Sequence, residues 1–169
     1  MMHYGADFPA FLETAPQVAR LGYLPDCARL DLGLRASYHA ADAASFDLTA
    51  FQSLSPEQMM AQRFTIAPAT RVLRSRWPLF DIWRFNMVDG APKPQMAAQD
   101  VLITRPEFDP SPNLLPPGGA EWLQSLGAGA TFGEATEQAA NVVPEFDLSS
   151  VLTLALSAMA FCKEAKASS

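Results

Sequence analysis

The histidines and cysteines are where chemistry would first be sought. His39 has Asp42 three residues on, a spacing that lets a carboxylate orient an imidazole for proton transfer. On an exposed helix end that pairing reads as a solvated contact. His3 stands almost at the chain start. Cys27 and Cys162 are far apart, with no CxxC and no histidine at ligand spacing, so no zinc site is indicated. Cys27 falls on an apolar helical stripe, where a free thiol serves packing. Gly118-Gly119 lacks the following Lys-Ser/Thr of a phosphate loop and reads as a turn into a helix. No nucleophile with a base, carboxylate pair or metal cluster emerges. The expectation is a protein that is not an enzyme, with no catalytic residues, metal or cofactor.

A second kind of chemistry is recognition. The window Arg74–Asn86, RSRWPLFDIWRFN, holds Arg74, Arg76 and Arg84 against one acid, Asp81, and includes Trp77 and Trp83. Arg71 lies just before it. Arginine among aromatics fits a nucleic-acid patch, a protein interface or the rim of a small core. The chain carries 12 Lys and Arg against 18 Asp and Glu, a net charge of −6, which argues against a phosphate-backbone partner. Trp77 and Trp83 are therefore expected to anchor a short helix. Arg71, Arg74, Arg76 and Arg84 are expected to form a protein-facing rim.

These residues need a scaffold, and 169 residues at 49% hydrophobic suffice to bury a core. The longest apolar run, Val151–Cys162, is too short and too interrupted by Ser and Thr for a membrane span. No signal peptide is visible, and two lone cysteines suit a cytoplasmic chain with reduced thiols. The first half reads as helices. One is expected from Asp7 to Glu13, one from Pro25 to about Ala43 with the stripe Cys27, Leu30, Leu34 and Tyr38, and one capped by Asp47. A further short one starts at the capping box of Ser55 and Gln58. Strand-like pieces follow at 64–66 and 71–74, then the tryptophan helix after Pro78. Residues 87–99 read as a loop, 101–105 as a strand ended by Pro106, and Leu114-Leu115 as a proline-flanked edge strand. Three helices close the chain: 120–126, one opened by the capping box of Thr131 and Glu134, and a last one capped by Asp147. That last helix is expected to bury residues through Cys162, with Lys163 and Lys166 at its end. The fold class is α+β: a helical N-terminal half, a small antiparallel sheet in the middle and a C-terminal three-helix unit. A division into 1–90 and 91–169 is expected, with the two parts free to pack as one domain.

Two resemblances add to this. The order strand, Pro-rich turn, edge strand and three helices, with LLPPGGAEWLQSLGAGATFGEA before the final helix, resembles the winged-helix-like peptide-recognition modules of the PqqD type. That resemblance implies capture of a leader peptide as an added strand, here at Asn113, Leu114 and Leu115. Across nearly the whole chain, YGADFPAFLETAPQVARLGYLPDCARLDLGLRASYHAADA is similar to the HvfC/BufC-type partner proteins, a family once labelled DNA-binding. So is the phrase Pro68, Thr70-Arg71, Leu73, Ser75, Trp77-Pro78, Ile82-Trp83. Members carry a further helical domain before the YG segment, which this chain, starting Met1-Met2-His3-Tyr4-Gly5, is expected to lack. The resemblance implies a non-catalytic companion that presents a ribosomally made precursor peptide to a multinuclear iron-dependent oxidase. The iron belongs to the oxidase. A DNA-binding regulator acting through the same arginines is the alternative.

Overall fold

A three-residue apolar run, Val101-Leu102-Ile103, organises the molecule, whose computed structural model describes residues 5–163. The run lies in β3 (Gln99–Thr104), between β2 (Arg71–Ser75) and β4 (Ser111–Leu114), in an antiparallel sheet of order β2-β3-β4. A strand apolar at successive positions must be covered on both faces, and Val101, Leu102 and Ile103 are all fully buried. Alternation sends them to different layers. Val101 and Ile103 pack with Leu30 of α2 (Leu24–Tyr38) and Leu79 of α5 (Leu79–Met87). Leu102 points the other way, into a larger core with Trp122, Leu123 and Leu126 of α6 (Gly119–Gly127).

The larger core draws on both halves of the sequence. Phe51 of α3 (Leu48–Gln52) and Phe64 meet Phe132 of α7 (Phe132–Val142) and Phe161, with the Phe64 and Phe161 rings 4.6 Å apart. Edge-on and tilted ring pairs add to simple burial. The expected division near residue 90 falls in the loop before β3, and the β2–β3 pairing crosses it from Arg71↔Ile103 to Ser75↔Gln99.

Local signals hold at several helix starts. Both capping boxes form, Ser55 with Gln58 opening α4 (Pro56–Ala61) and Thr131 with Glu134 opening α7. Asp47 accepts from the Ala50 N–H at 3.0 Å. Asp147 does the same for Ser149 at the start of α8 (Leu148–Ser157). Asp7 makes no such side-chain bond at the start of α1 (Phe8–Thr14), a helix whose Phe8 and Phe11 are exposed.

Two expected helices are shorter than periodicity alone indicated. α2 stops at Tyr38, not at about Ala43, and Arg105 donates to Tyr38 O and to Ala40 O just past that end, as described below. α8 stops at Ser157: Met159 enters the left-handed region (φ 54°), and Ala160 N–H returns to Ala155 O at 2.8 Å. Such a six-residue return ends a helix and reverses the chain. Phe161–Cys162 then forms β5, paired antiparallel with β1 (Thr65–Ile66). Cys162 is thus a strand residue, and Lys163 pairs with Asp47 at 3.3 Å instead of facing the α8 terminus. The expectations for His3 and Lys166 lie outside the described residues. Among the described residues, no helix is long and apolar enough to cross a membrane.

Candidate functional site

The arginines expected to form a rim do different jobs. Arg71 donates to the carbonyls of Pro68 and Thr70, at 2.7 and 2.8 Å, and braces the turn into β2. Arg74 reaches across to α6, 2.6 Å from Glu121, and lies 3.4 Å from Asp100 on the neighbouring strand. Burial pushes the Asp100 carboxyl above the usual range, and the Glu121 charge adds to that. Arg74 opposes both. Arg76 is exposed, with its guanidinium 5.2 Å from the centroid of the Trp77 ring. Arg84 is exposed on α5, and its guanidinium has no ion-pair or hydrogen-bond partner among the described residues.

Behind this face runs a polar thread that fixes the tryptophan window. Arg29 donates to Asp26 at 2.7 Å and also contacts Glu13. The other Asp26 oxygen accepts from Ser75 Oγ at 2.6 Å, and Ser75 Oγ accepts from the Trp77 N–H at 3.0 Å. Helix α2 therefore dictates where β2 ends and Trp77 begins. The Trp77 ring lies edge-on to Tyr23, and a Cβ on Gly22 would sit 2.9 Å from it. Trp83 is half-buried, stacked on Phe80 against the Val101 and Ile103 side of the sheet. Gln99 bonds the Asp81 N–H (3.1 Å) and Oδ2 (2.8 Å), which seats the first turn of α5 at the start of β3.

The residues expected to hold a peptide lie at the other edge. Leu115 N–H bonds Asp100 O at 2.9 Å, and hydrogen-bonded pairs alternate along an antiparallel ladder. Given the register, Asn113 and Leu115 turn their backbone toward β3, whereas Pro112 and Leu114 face outward. Leu115 is buried in the larger core, and Leu114 is 41% exposed. Pro112 has no N–H, so this edge offers one outward donor, that of Leu114.

The two predicted groups nevertheless meet. A groove of about 690 Å³ at the start of β3 has Arg74, Ser75 and Arg76 on one wall and Leu114, Leu115 and Pro116 on the other. Sequence separation hid this, because it follows from β3 lying between β2 and β4.

One cation was not anticipated. Arg105, just past β3 and mostly buried, donates to Tyr38 O at 2.6 Å, Ala40 O at 3.0 Å and Asp42 Oδ1 at 2.7 Å. Asp42 thus serves Arg105, and the His39 ring instead lies edge-on to Tyr38. The only sequence hint was an arginine ending an otherwise apolar strand. Among the described residues, no three His, Cys, Asp or Glu converge as metal ligands would. No family model matches the chain, and no curated protein matches it.

Proposed function

We propose that this chain is a non-catalytic partner protein that binds a ribosomally made precursor peptide and a multinuclear iron-dependent oxidase, presenting the one to the other. The ordered phrases shared with the HvfC/BufC-type proteins suggest the role. The observation that carries it is the groove, where Arg74 and Arg76 face Leu114 at the end of the sheet. Guanidinium groups beside an apolar strand end suit an extended polypeptide, which offers carboxylates, carbonyls and alternating side chains.

In this reading β2–β4 with α6–α8 is a peptide-recognition module of the winged-helix-like PqqD type. Arg76 and Arg84 meet the partner, Arg71 and Arg74 shape the rim, and Asn113 to Leu115 close the groove. The work is cytoplasmic, where thiols such as Cys27 and Cys162 stay reduced. A DNA-binding role fits less well, because Arg74 is already paired with Asp100 and Glu121 and the chain's net charge is −6. Few cations then remain to neutralise phosphates.

Co-expression of the tagged chain with an oxidase and peptide encoded beside it tests the reading. Both should be retained on the affinity resin. Retention of neither by a folded chain overturns it, and tight, salt-dependent duplex binding would favour the regulator.

A further inference from the structure

The ladder parity that closes the β4 edge opens the β2 edge. Asp100, Leu102 and Thr104 direct their backbone groups at β4, so Gln99, Val101 and Ile103 direct theirs at β2. Their partners are Ser75, Leu73 and Arg71. Val72 and Arg74 therefore face outward. The close approach of the Arg74 and Asp100 side chains, 3.4 Å apart, agrees, since side chains lie nearer at non-hydrogen-bonded steps. The N–H and C=O of Val72 and Arg74 have no partner among the described residues. β2 thus offers two outward donors and two outward acceptors with no proline, whereas β4 has lost a donor at Pro112.

The charge on this edge selects its occupant. Arg71, Arg74 and Arg76 fall within six residues of a chain whose net charge is −6. Arg71 and Arg76 have no carboxylate partner among the described residues. A second copy paired through β2 would set arginines against arginines, and like charges on facing strands repel. Edge cations are one way proteins block such self-pairing. A strand carrying carboxylates meets attraction instead. Val72 and Leu73, half-buried on opposite faces of the sheet, give alternating apolar contacts between the charges.

We infer that the outer edge of β2 takes an extended acidic segment of a partner as an added strand, with carboxylates toward Arg71 and Arg76 and backbone bonds to Val72 and Arg74. The inference rests on the peptide-partner reading and specifies the edge and the charge. The probe is a fluorescein-labelled synthetic peptide alternating Glu and Val, with a Lys–Val counterpart, titrated into the full chain by fluorescence anisotropy. The acidic peptide should bind, more weakly as salt rises, and the lysine peptide should not. Val72→Pro removes one outward donor and leaves the β3 ladder intact, and should weaken binding about tenfold. Leu114→Pro, its equivalent on β4, should weaken binding less than Val72→Pro does. Arg76→Glu lies outside the ladder and should also weaken binding, so the test survives if Val72→Pro fails to fold. Equal binding of both peptides, no binding of the acidic one, or a loss through Leu114→Pro as large as that through Val72→Pro overturns the inference. If precursor and oxidase co-purify while the acidic peptide ignores β2, the partner reading stands and this inference falls. If the acidic peptide binds at β2 but neither protein is retained, the reverse holds.

Discussion

Replacing Arg105 by Met keeps the aliphatic stem and removes the head that ties the end of α2 to the sheet. Three acceptors lose their donor: Tyr38 O, Ala40 O and Asp42 Oδ1. Bonds to a charged donor contribute about 1.5–3 kcal/mol each when the partners stay dry. Here Tyr38 and Asp42 are exposed and regain water, so the sum is discounted heavily. The guanidinium also caps a helix C-terminus, worth about 0.3–1 kcal/mol at a surface and up to about 2 when partly buried. Together these give a loss of about 2–4 kcal/mol. In a chain of this size that lowers the thermal midpoint by roughly 5–15 °C. Urea unfolding followed by circular dichroism measures it, and hydrogen exchange should quicken first around residues 38–42. Arg105→Lys should recover less than half, since one ammonium cannot span the three acceptors. A loss below about 0.5 kcal/mol, the range of an ordinary surface substitution, would refute the clamp.

Other outcomes follow from the same geometry. Asp100→Asn should leave the thermal midpoint at pH 7 equal to or above that of the parent. The Asp100 pKa is raised by burial, so the ionised form costs stability above that pKa and the cost vanishes as pH falls below the ordinary carboxylate range; a midpoint clearly below the parent at pH 7 would count against this. Trp83→Ala should cost about 2–3 kcal/mol in urea unfolding, under the full-burial figure because the ring is half-exposed. Met159→Gly should raise the midpoint, since a left-handed backbone costs a non-glycine residue about 1 kcal/mol that glycine avoids. Thr104→Val should be neutral or stabilising, because its hydroxyl is fully buried with no partner among the described residues.

What the sequence made legible was mostly local. Capping boxes at Ser55 and Thr131, the caps at Asp47 and Asp147, the tryptophan helix after Pro78 and the apolar strand 101–103 all rest on neighbours within four residues. Helix ends were harder. A run of apolar residues through Cys162 looks helical by spacing, yet the chain leaves the helix at Met159 because Phe161 and Cys162 gain a strand partner in Thr65 and Ile66. Such partners, Thr65 for Cys162 and Ile66 for Phe161, lie far off along the chain and leave no local mark. The same holds for the site. Residue type alone picked out Arg74 and Arg76, but only the register shows which backbone groups face out. That register exchanges the importance of Leu115, buried in the core, with that of Val72, which nothing in its type distinguished.

Backbone amide shifts and hydrogen exchange, followed by NMR while the alternating Glu–Val peptide is added, test the recognition edge most directly. The account predicts that the Val72 and Arg74 amides shift and become protected together as the peptide binds, while that of Leu114 stays as it was. Protection confined to Leu114, or none at either edge at saturating peptide, would contradict it.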